Sequence, residues 1–576
     1  MQKRVRYKVL DQVTFADMLV YSKLPSHPFW SYVEKSIDFS FADTLCAGLY
    51  SSRGQRPYAP SLKLKVHLVQ RFYNLSDRLA EEKIIGDLFI KRFLGVSVEF
   101  FGLDHSTIAL DRDRLGPHLF QACHLYILAQ LYSLGLWGHH DEQWILDSFP
   151  TEVGLPRVPA QRLIQQAFVR LLQHLKRHYA EVFHVLQRDC PLDTLTSRLA
   201  RHASTADRLL AFSRLAAQAY GVLKRLEMED VLAHLAASPL HQKEHQARQH
   251  TLRRILNDYV RPSSTPPEED DSSGNAPPSA GETACSAEHA GSEGLPSAEV
   301  DTRLEAIPWE KVPFDQRPAD RIVSVVQPEA RMGRKTALQI IRGFKTQNLI
   351  TSSRVILLTE VVPAVEHDRE AMVGMVRTLL QWLPVRPRFF VGDSAYGHGI
   401  QREKLAAWGI PVAAPLPFTP HPTGLYDAAH FTYEAEQNRY RCPQGQTTVR
   451  HSSSAKLEGT QYYFAKAACA NCPLRAECTT SKTGRSVFRS DYVAHYEAGA
   501  AHNASEEGRE LSRRRKRVEP KNHELKNHAG LGYTPKASYS LLRIKASMGA
   551  IVTNLKHAVK QLSHPRPGFL RRASQM

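Results

Sequence analysis

Four cysteines in the last third of the chain have the spacing of a metal site. Cys442 precedes a proline, Cys469 and Cys472 form a Cys-x-x-Cys pair, and Cys478 follows shortly afterwards. Four thiolates suit a closed tetrahedral Zn²⁺ site, whereas a disulfide framework would be denser and more even along the sequence. We therefore predict a structural zinc site here, with unmetallated thiols or a redox pair as the alternatives.

Two aspartates end apolar runs that are typical of strands. Asp147 closes Trp-Ile-Leu-Asp, and Asp393 closes Phe-Phe-Val-Gly-Asp. Sheet domains place reactive groups at strand ends, although each residue taken alone also fits a turn or a helix cap. Asp141 and Glu142 are alternative candidates for the reactive acid at this strand, but only Asp147 closes the apolar run.

A strongly basic segment surrounds one glutamate near the C-terminus. Its main cations are Arg513, Arg514, Arg515, Lys516, Arg517 and Lys526. Glu519 lies among them in a markedly positive neighbourhood. By itself, this segment fits a solvated basic helix or a general nucleic-acid-binding patch that needs no catalytic glutamate.

Composition favours a polyanionic partner. The 576 residues include 75 Lys and Arg against 58 Asp and Glu, a formal charge of +17. Such an excess indicates nucleic acid, and a content of 42% hydrophobic residues excludes wholesale disorder. No apolar run is long enough for a membrane span, and the N-terminal residues lack the apolar stretch of a signal peptide. We expect a multidomain cytoplasmic, nucleoid-associated protein without a membrane partner.

The elements that position these residues fall into a helical half and a β-rich half. Apolar spacing predicts two short helices over 62–72 and 79–88, either a DNA-binding helix-turn-helix or a plain packing pair. We place the following cations on their exposed faces: Lys63, Lys65, Arg71, Arg78 and Lys83. Strands are expected at 143–147, 321–326, 355–362, 388–393 and 410–414, with a helix over 369–382. The strand at 143–147 should join the later sheet, so that everything between forms one long excursion.

The excursion itself contains a helical insertion and an acidic linker. Apolar residues from 159 onward keep a helical period, and 261–304 is rich in Pro, Ser and acids without any aromatic residue. In the insertion, His174 with His178 and His241 with His245 have the i, i+4 spacing of metal ligands. Because they lie in Arg- and Gln-rich stretches, we predict a solvated helix face instead.

The basic segment also carries a recognisable signature. Arg515, Glu519 and Lys526 follow the pattern Tyr, two residues, Arg, three residues, Glu, six residues, Lys, with Ser512 in the Tyr position. Further matching stretches are 330–335, 343–345, 393–397, 551–556 and the helical 58–115. On these residues the chain resembles the DDE transposases of bacterial insertion sequences, specifically the IS-eleven-eighty-two type of the IS-four/IS-five superfamily.

The resemblance implies a catalytic triad of Asp147, Asp393 and Glu519 in an RNase H-like core. Such acids would hold Mg²⁺ (or Mn²⁺) for cleavage and joining of DNA strands. It also implies DNA contacts from Arg515 and Lys526, and we add the remaining cations of Arg513–Arg517 and Lys345. Pro520, directly after Glu519, would either kink its helix or mark the first turn.

The implied fold is an α/β RNase H-like catalytic core with an N-terminal all-helical DNA-binding domain, a helical insertion and a Cys-rich β insertion. The expected domains are a helical DNA-binding domain (1–135), the first core strand (136–158), the helical insertion (159–260), a disordered acidic linker (261–304), the core (305–420), the zinc subdomain (421–500), the Glu helix with the C-terminal helices (501–562) and a basic tail (563–576).

The expected function is DNA transposition. The partners would be double-stranded DNA, namely the terminal inverted repeats of the element and the target, and a second copy of the chain, with which it forms a homodimer on DNA. Two alternatives remain: a metal-dependent nuclease that cuts without strand transfer, and an inactive zinc-containing DNA-binding protein derived from a transposase.

Overall fold

The structure is a computed structural model that describes residues 5–10, 13–51, 53–190, 192, 204–236, 239–263, 309–335, 338–417, 424–535 and 537–563. The chain divides into two compact units. The first comprises Met1–Val153 and Phe344–Met576, and the second comprises Gly154–Gly343. A single excursion between two parts of one unit was predicted, and this division confirms it.

The described residues form helices and strands throughout both units. The helices are α1 Phe15–Lys23, α2 Trp30–Ser36, α3 Phe41–Leu45, α4 Pro60–Phe72, α5 Asp77–Gly86, α6 Leu88–Leu94, α7 His105–Ser133, α8 Ala160–His178, α9 Ala180–Asp189, α10 Thr205–Arg225, α11 Glu229–Ala236, α12 Gln242–Tyr259, α13 Asp368–Trp382, α14 Gly399–Ala406, α15 Lys466–Ala470, α16 Arg475–Cys478, α17 Val493–Ala504, α18 Glu506–Arg514, α19 Glu519–Asn527 and α20 Tyr539–Ser563. In the described ranges, none of these helices has the length and apolar character needed to cross a membrane.

The strands belong to one larger sheet and several small ones. They are β1 Gln143–Glu152, β2 Val260–Pro262, β3 Trp309–Lys311, β4 Arg331–Arg334, β5 Ile340–Thr351, β6 Ile356–Pro363, β7 Phe389–Val391, β8 Val412–Ala413, β9 Thr432–Glu434, β10 Arg439–Arg441, β11 Thr448–Ser454, β12 Gly459–Phe464 and β13 Ser486–Ser490.

Strand β1 is central in the sheet of the first unit. It lies between β5 and β7, and it runs parallel to β7, which in turn runs parallel to β8. Strand β6 is antiparallel to β5. The side chains of Trp144, Ile145 and Leu146 are completely buried. Such a continuous apolar run is typical of a strand covered on both faces, and it made β1 predictable.

The helices before β1 include the predicted pair. A turn containing Asn74, whose φ is 53°, separates α4 from α5. The hydroxyl of Ser76 accepts a hydrogen bond from the Leu79 N–H and so caps α5. The two-helix prediction is therefore confirmed.

The second unit has its own core of helices α8 to α12. Apolar residues of α8 such as Leu163, Phe168 and Leu171 are buried in it. Strand β2 pairs with β3, so that Arg261 and Pro262 lie in a strand and the predicted linker start at 261 is wrong. The remainder of that linker, 264–304, lies outside the described residues, as do residues 564–576 of the basic tail.

Two further boundary predictions are corrected by this division. Residues 154–158 and 309–343 belong to the second unit, so the first unit resumes only at Phe344 rather than at 305. The strand expected at 321–326 is also absent from this described stretch. Its backbone groups bind side chains instead: Ile322 donates its N–H to Asp258 and accepts from the hydroxyl of Tyr259.

A small β-rich region follows the main sheet. Strands β11, β12 and β13 form an antiparallel sheet, and β9 pairs with β10. Its core consists of Phe431, Tyr440, Tyr462, Phe464 and Val487. Three of the four clustered cysteines pack against this core, so the region has an apolar centre of its own.

Candidate active site

Asp147 and Asp393 lie side by side just beyond the last paired residues of β1 and β7, a position that we name the sheet edge. In the parallel pair β1 and β7, Ile145 is opposite Val391, and each aspartate follows two residues later. Side chains two residues apart in extended backbone point to the same face. The Asp393 carboxylate also accepts a hydrogen bond of 2.9 Å from the Ala395 N–H, so this residue caps the following turn as well.

The electrostatics of this pair oppose full ionisation. Burial, followed by the negative charges of Asp393 and Asp368, raises the pKa of Asp147 to about 6. Burial and the charge of Asp368 also raise the pKa of Asp393. Arg515 opposes both shifts, which places its positive charge close to both carboxylates. The sheet edge therefore holds concentrated negative charge that a cation would relieve.

The acids next to Asp147 in sequence are not part of this edge. Glu142 is buried, and its carboxylate accepts hydrogen bonds from the N–H groups of Gly138 and Ser353. Asp141 is exposed. Glu142 therefore stabilises turns, and only Asp147 follows the register of β1 toward Asp393.

A third carboxylate at this edge is Asp368, which the sequence analysis missed. It begins α13 and accepts hydrogen bonds from the Ser148 hydroxyl and the Lys345 ammonium. Its charge contributes to the raised pKa of both Asp147 and Asp393. In the sequence, an acid at the start of a helix is typical of ordinary helix capping. No sequence pattern therefore indicated that Asp368 belongs to the site. Lys345, predicted to contact DNA, is thus paired internally.

Glu519 begins helix α19, and Pro520 occupies the first turn of that helix. The proline therefore marks the helix start and does not kink it. The Glu519 side chain is exposed, whereas Asn522, one turn later, is buried. The Asn522 amide donates a hydrogen bond of 2.9 Å to the Asp147 carboxylate and accepts one of 2.8 Å from Asn348. The start of α19 therefore lies against the end of the apolar part of β1.

The three predicted acids do not form a closed cluster. Across the described residues, only Glu81, Asp104 and His105 bring three potential ligand atoms within 4.8 Å of one another. Those three have a structural explanation, because Asp104 caps α7 and Glu81 binds the His105 N–H.

The basic segment divides into internal and outward cations. Arg514 pairs with Glu510 and donates to the Gln143 side chain, and Arg517 donates to the carbonyl of Ser352. These two arginines attach the segment to the sheet. Arg513 is 76% exposed and Lys516 is exposed. Arg515 and Lys526 are half-buried.

Two parts of the chain match known protein families. Residues 19–114 match the family described as Transposase domain (DUF772), and residues 441–559 match the family described as Transposase DDE domain. The chain is an insertion-sequence DDE transposase. The second match contains Glu519 and the four clustered cysteines, whereas Asp147 and Asp393 lie outside both ranges. No curated protein and no solved structure matches.

The four clustered cysteines of the transposase line one small cavity. Cys442, Cys469, Cys472 and Cys478 surround a volume of about 30 Å³ together with Arg475 and Arg485. Burial raises the pKa of the Cys478 thiol, and the other three thiols raise it further while Arg485 opposes them. No three of their sulfur atoms lie within 4.8 Å of one another in the structure. Four thiols around one cavity are nevertheless the donor set of a tetrahedral zinc ion, and the arginines would favour thiolates.

Two of the cations predicted on exposed helix faces are buried in the transposase. Lys63 is 4% exposed and its ammonium lies 2.6 Å from the Asp111 carboxylate. Arg71 is 8% exposed and donates to the carbonyl of Ala529. Both predictions were wrong because these side chains connect α4 to other helices of the same unit. Lys63 and Arg71 therefore cannot act as phosphate contacts.

Proposed function

We propose that this transposase cleaves the ends of an insertion sequence of the IS-eleven-eighty-two type and joins them to target DNA. Asp147, Asp393 and Glu519 would be the catalytic acids, on a core that we infer to be RNase H-like. The mixed sheet with β1 at its centre supports the fold. The observation that carries the proposal is the register of β1 and β7, which places Asp147 beside Asp393.

The residues at this edge fit a hard dication. The carboxylates offer oxygen ligands. Burial, and after it the neighbouring negative charge, raises the pKa of Asp147 and Asp393, and a bound cation would favour their ionised forms. We infer that Asp147, Asp393 and Glu519 would hold Mg²⁺ or Mn²⁺. Bound there, two such ions would activate a water or a DNA 3′-hydroxyl and stabilise the leaving oxygen of a phosphodiester.

The surrounding side chains would orient the acids. Asn522 holds one oxygen of Asp147 through its hydrogen bond and leaves the other oxygen available as a ligand. Arg515 would offset negative charge near both aspartates and contact the DNA backbone when it enters. Glu519, three residues before Asn522, lies on the same side of α19 and would supply the third carboxylate from the helix start.

The DNA partners would be the terminal inverted repeats and the target. Arg513 and Lys516 direct their charge outward from the basic segment, and we propose that they contact phosphates. Two DNA ends must be brought together for strand transfer, so we propose a homodimer assembled on DNA. The Cys subdomain would be held by one structural Zn²⁺.

The test is a reaction of purified protein with Mg²⁺, a labelled terminal inverted repeat and a target plasmid. A labelled repeat that becomes joined to the plasmid is the expected result. Cut ends without joined product would support the nuclease alternative instead. A shifted band with no cleavage in Mg²⁺ or Mn²⁺ would leave only a DNA-binding protein.

A further inference from the structure

Two histidine pairs that are far apart in sequence meet in the second unit. His174 and His178 lie at the end of α8, while His241 precedes α12 and His245 lies in its first turn. The ring centres of His178 and His241 are 3.8 Å apart, and those of His174 and His178 are 4.9 Å apart. Because α8 packs against α12, two i, i+4 pairs form one cluster.

The prediction of a solvated helix face is wrong for half of this cluster. His174 is 4% exposed and His245 is 2% exposed. Among the described residues, the Nε2 atom of His174 and both ring nitrogens of His245 have no hydrogen-bond partner. A buried polar atom without a partner is destabilising, so this cluster requires an explanation.

The rings are suited to be ligands by their chemistry. Imidazole is a preferred ligand of zinc, copper and nickel.

A carboxylate completes the surroundings. The Glu244 oxygen Oε2 lies 3.9 Å from Nδ1 of His174, and its other oxygen accepts a hydrogen bond of 2.6 Å from Arg248. Glu244 thus supplies an anionic oxygen donor, and Arg248 holds it in place.

We propose that His174, His178 and His241 bind one late first-row divalent metal ion, Zn²⁺ in particular, with Glu244 in the fourth position. Three imidazoles and one carboxylate form a tetrahedral donor set of the kind zinc accepts. No three ligand atoms of this cluster lie within 4.8 Å of one another in the structure, so the half-exposed His178 and His241 would rotate to bring their nitrogens to the ion. His245, whose ring lies parallel to that of His174 at 6.1 Å, supports it from the buried side. The ion would fasten the end of α8 to the start of α12.

The test is titration of the full-length, chelator-treated protein with Co²⁺, followed by its absorption spectrum. A site of imidazole and carboxylate ligands gives visible d–d bands without the near-ultraviolet charge-transfer band of thiolates. The two metal sites can therefore be separated. We expect the double variant His178→Ala/His241→Ala to lose one equivalent of Co²⁺ and part of the visible absorption, while the thiolate band persists. The matched control His250→Ala, at an exposed position of α12, should keep both.

A second measurement separates metal loss from misfolding. Zn²⁺ added after chelation should raise the melting temperature of the Cys469→Ser/Cys472→Ser variant, in which only the histidine site remains. It should not raise that temperature once His178→Ala and His241→Ala are added. Equal Co²⁺ stoichiometry in wild type and the histidine double variant would overturn the proposal, whatever the outcome for DNA cleavage.

Discussion

At the scale of single residues, position in the sheet determines what each acid does. Glu142 and Asp147 are five positions apart, yet one binds backbone N–H groups of turns and the other lies beside Asp393. Asp147 also has the most strongly raised pKa of the acids at this edge. One consequence concerns this pKa, and a second concerns the proposed role of the acids as metal ligands.

The first consequence concerns stability in the absence of metal. An unfolded chain ionises Asp147 near pH 4, whereas the folded chain keeps this proton up to about pH 6, so folded stability falls as pH rises between these values. We expect Asp147→Asn to stabilise the protein by about 1–3 kcal/mol above pH 7 and by much less near pH 4. Thermal melts in EDTA at both pH values measure the difference. An equal effect at both pH values would contradict the assigned pKa.

The second concerns catalysis. We expect Asp147→Ala, Asp393→Ala and Glu519→Ala each to abolish strand cleavage while leaving DNA binding intact, because each removes an oxygen ligand and no DNA contact. The matched control is Asp141→Ala, an exposed acid near the same strand, which should cleave normally. Cleavage assays and gel shifts on the same labelled ends provide both readouts. Near-normal cleavage by one of the three variants would remove that residue from the triad.

At the scale of elements, the site depends on a strand that local patterns do not predict. Strand β5 buries Thr346, Gln347 and Asn348 completely, so it lacks both apolar alternation and a continuous apolar run. Its polar side chains bind partners that are distant in sequence: Thr346 binds Thr151, Gln347 binds Tyr396 and Asn348 binds Asn522. Strands β1 and β7 were predictable because their apolar runs are local. The histidine cluster and Asp368 were not, since both depend on tertiary packing.

Also at the scale of elements, the cations that stabilise contacts between helices differ from the cations that are available to DNA. We expect Arg513→Ala and Lys516→Ala each to weaken DNA binding and to reduce the slope of log K against log salt by about 0.9, since each loses one phosphate contact. Titrations of a labelled repeat at several salt concentrations measure this slope.

The control for that series is Lys63→Met, which removes a buried cation. Loss of its ion pair with Asp111 should lower the melting temperature by several degrees without changing the salt slope. If the slope falls equally in Lys63→Met, the loss of affinity reflects unfolding and the two exposed residues are not phosphate contacts.

At the scale of the whole molecule, a small folded region needs a source of stability other than a large apolar core. The region of β9 to β13 has only five residues in its apolar core. We expect the Cys469→Ser/Cys472→Ser variant to be cleaved by protease within residues 424–490 at least tenfold faster than wild type, because a small core needs the cross-link of a metal. Limited proteolysis with mass spectrometry identifies the cut sites. Unchanged cleavage in this variant would show that zinc does not hold the region.

The order of the chain has a consequence for when the enzyme becomes active. Strand β1 leaves the ribosome early, but its partner β7 follows only after the whole excursion Gly154–Gly343 has been made. Because the two aspartates are aligned by this pairing, a nascent chain that stops short of β7 has no paired acids. The pairing of these two carboxylates is thus withheld until 391 of the 576 residues have been made.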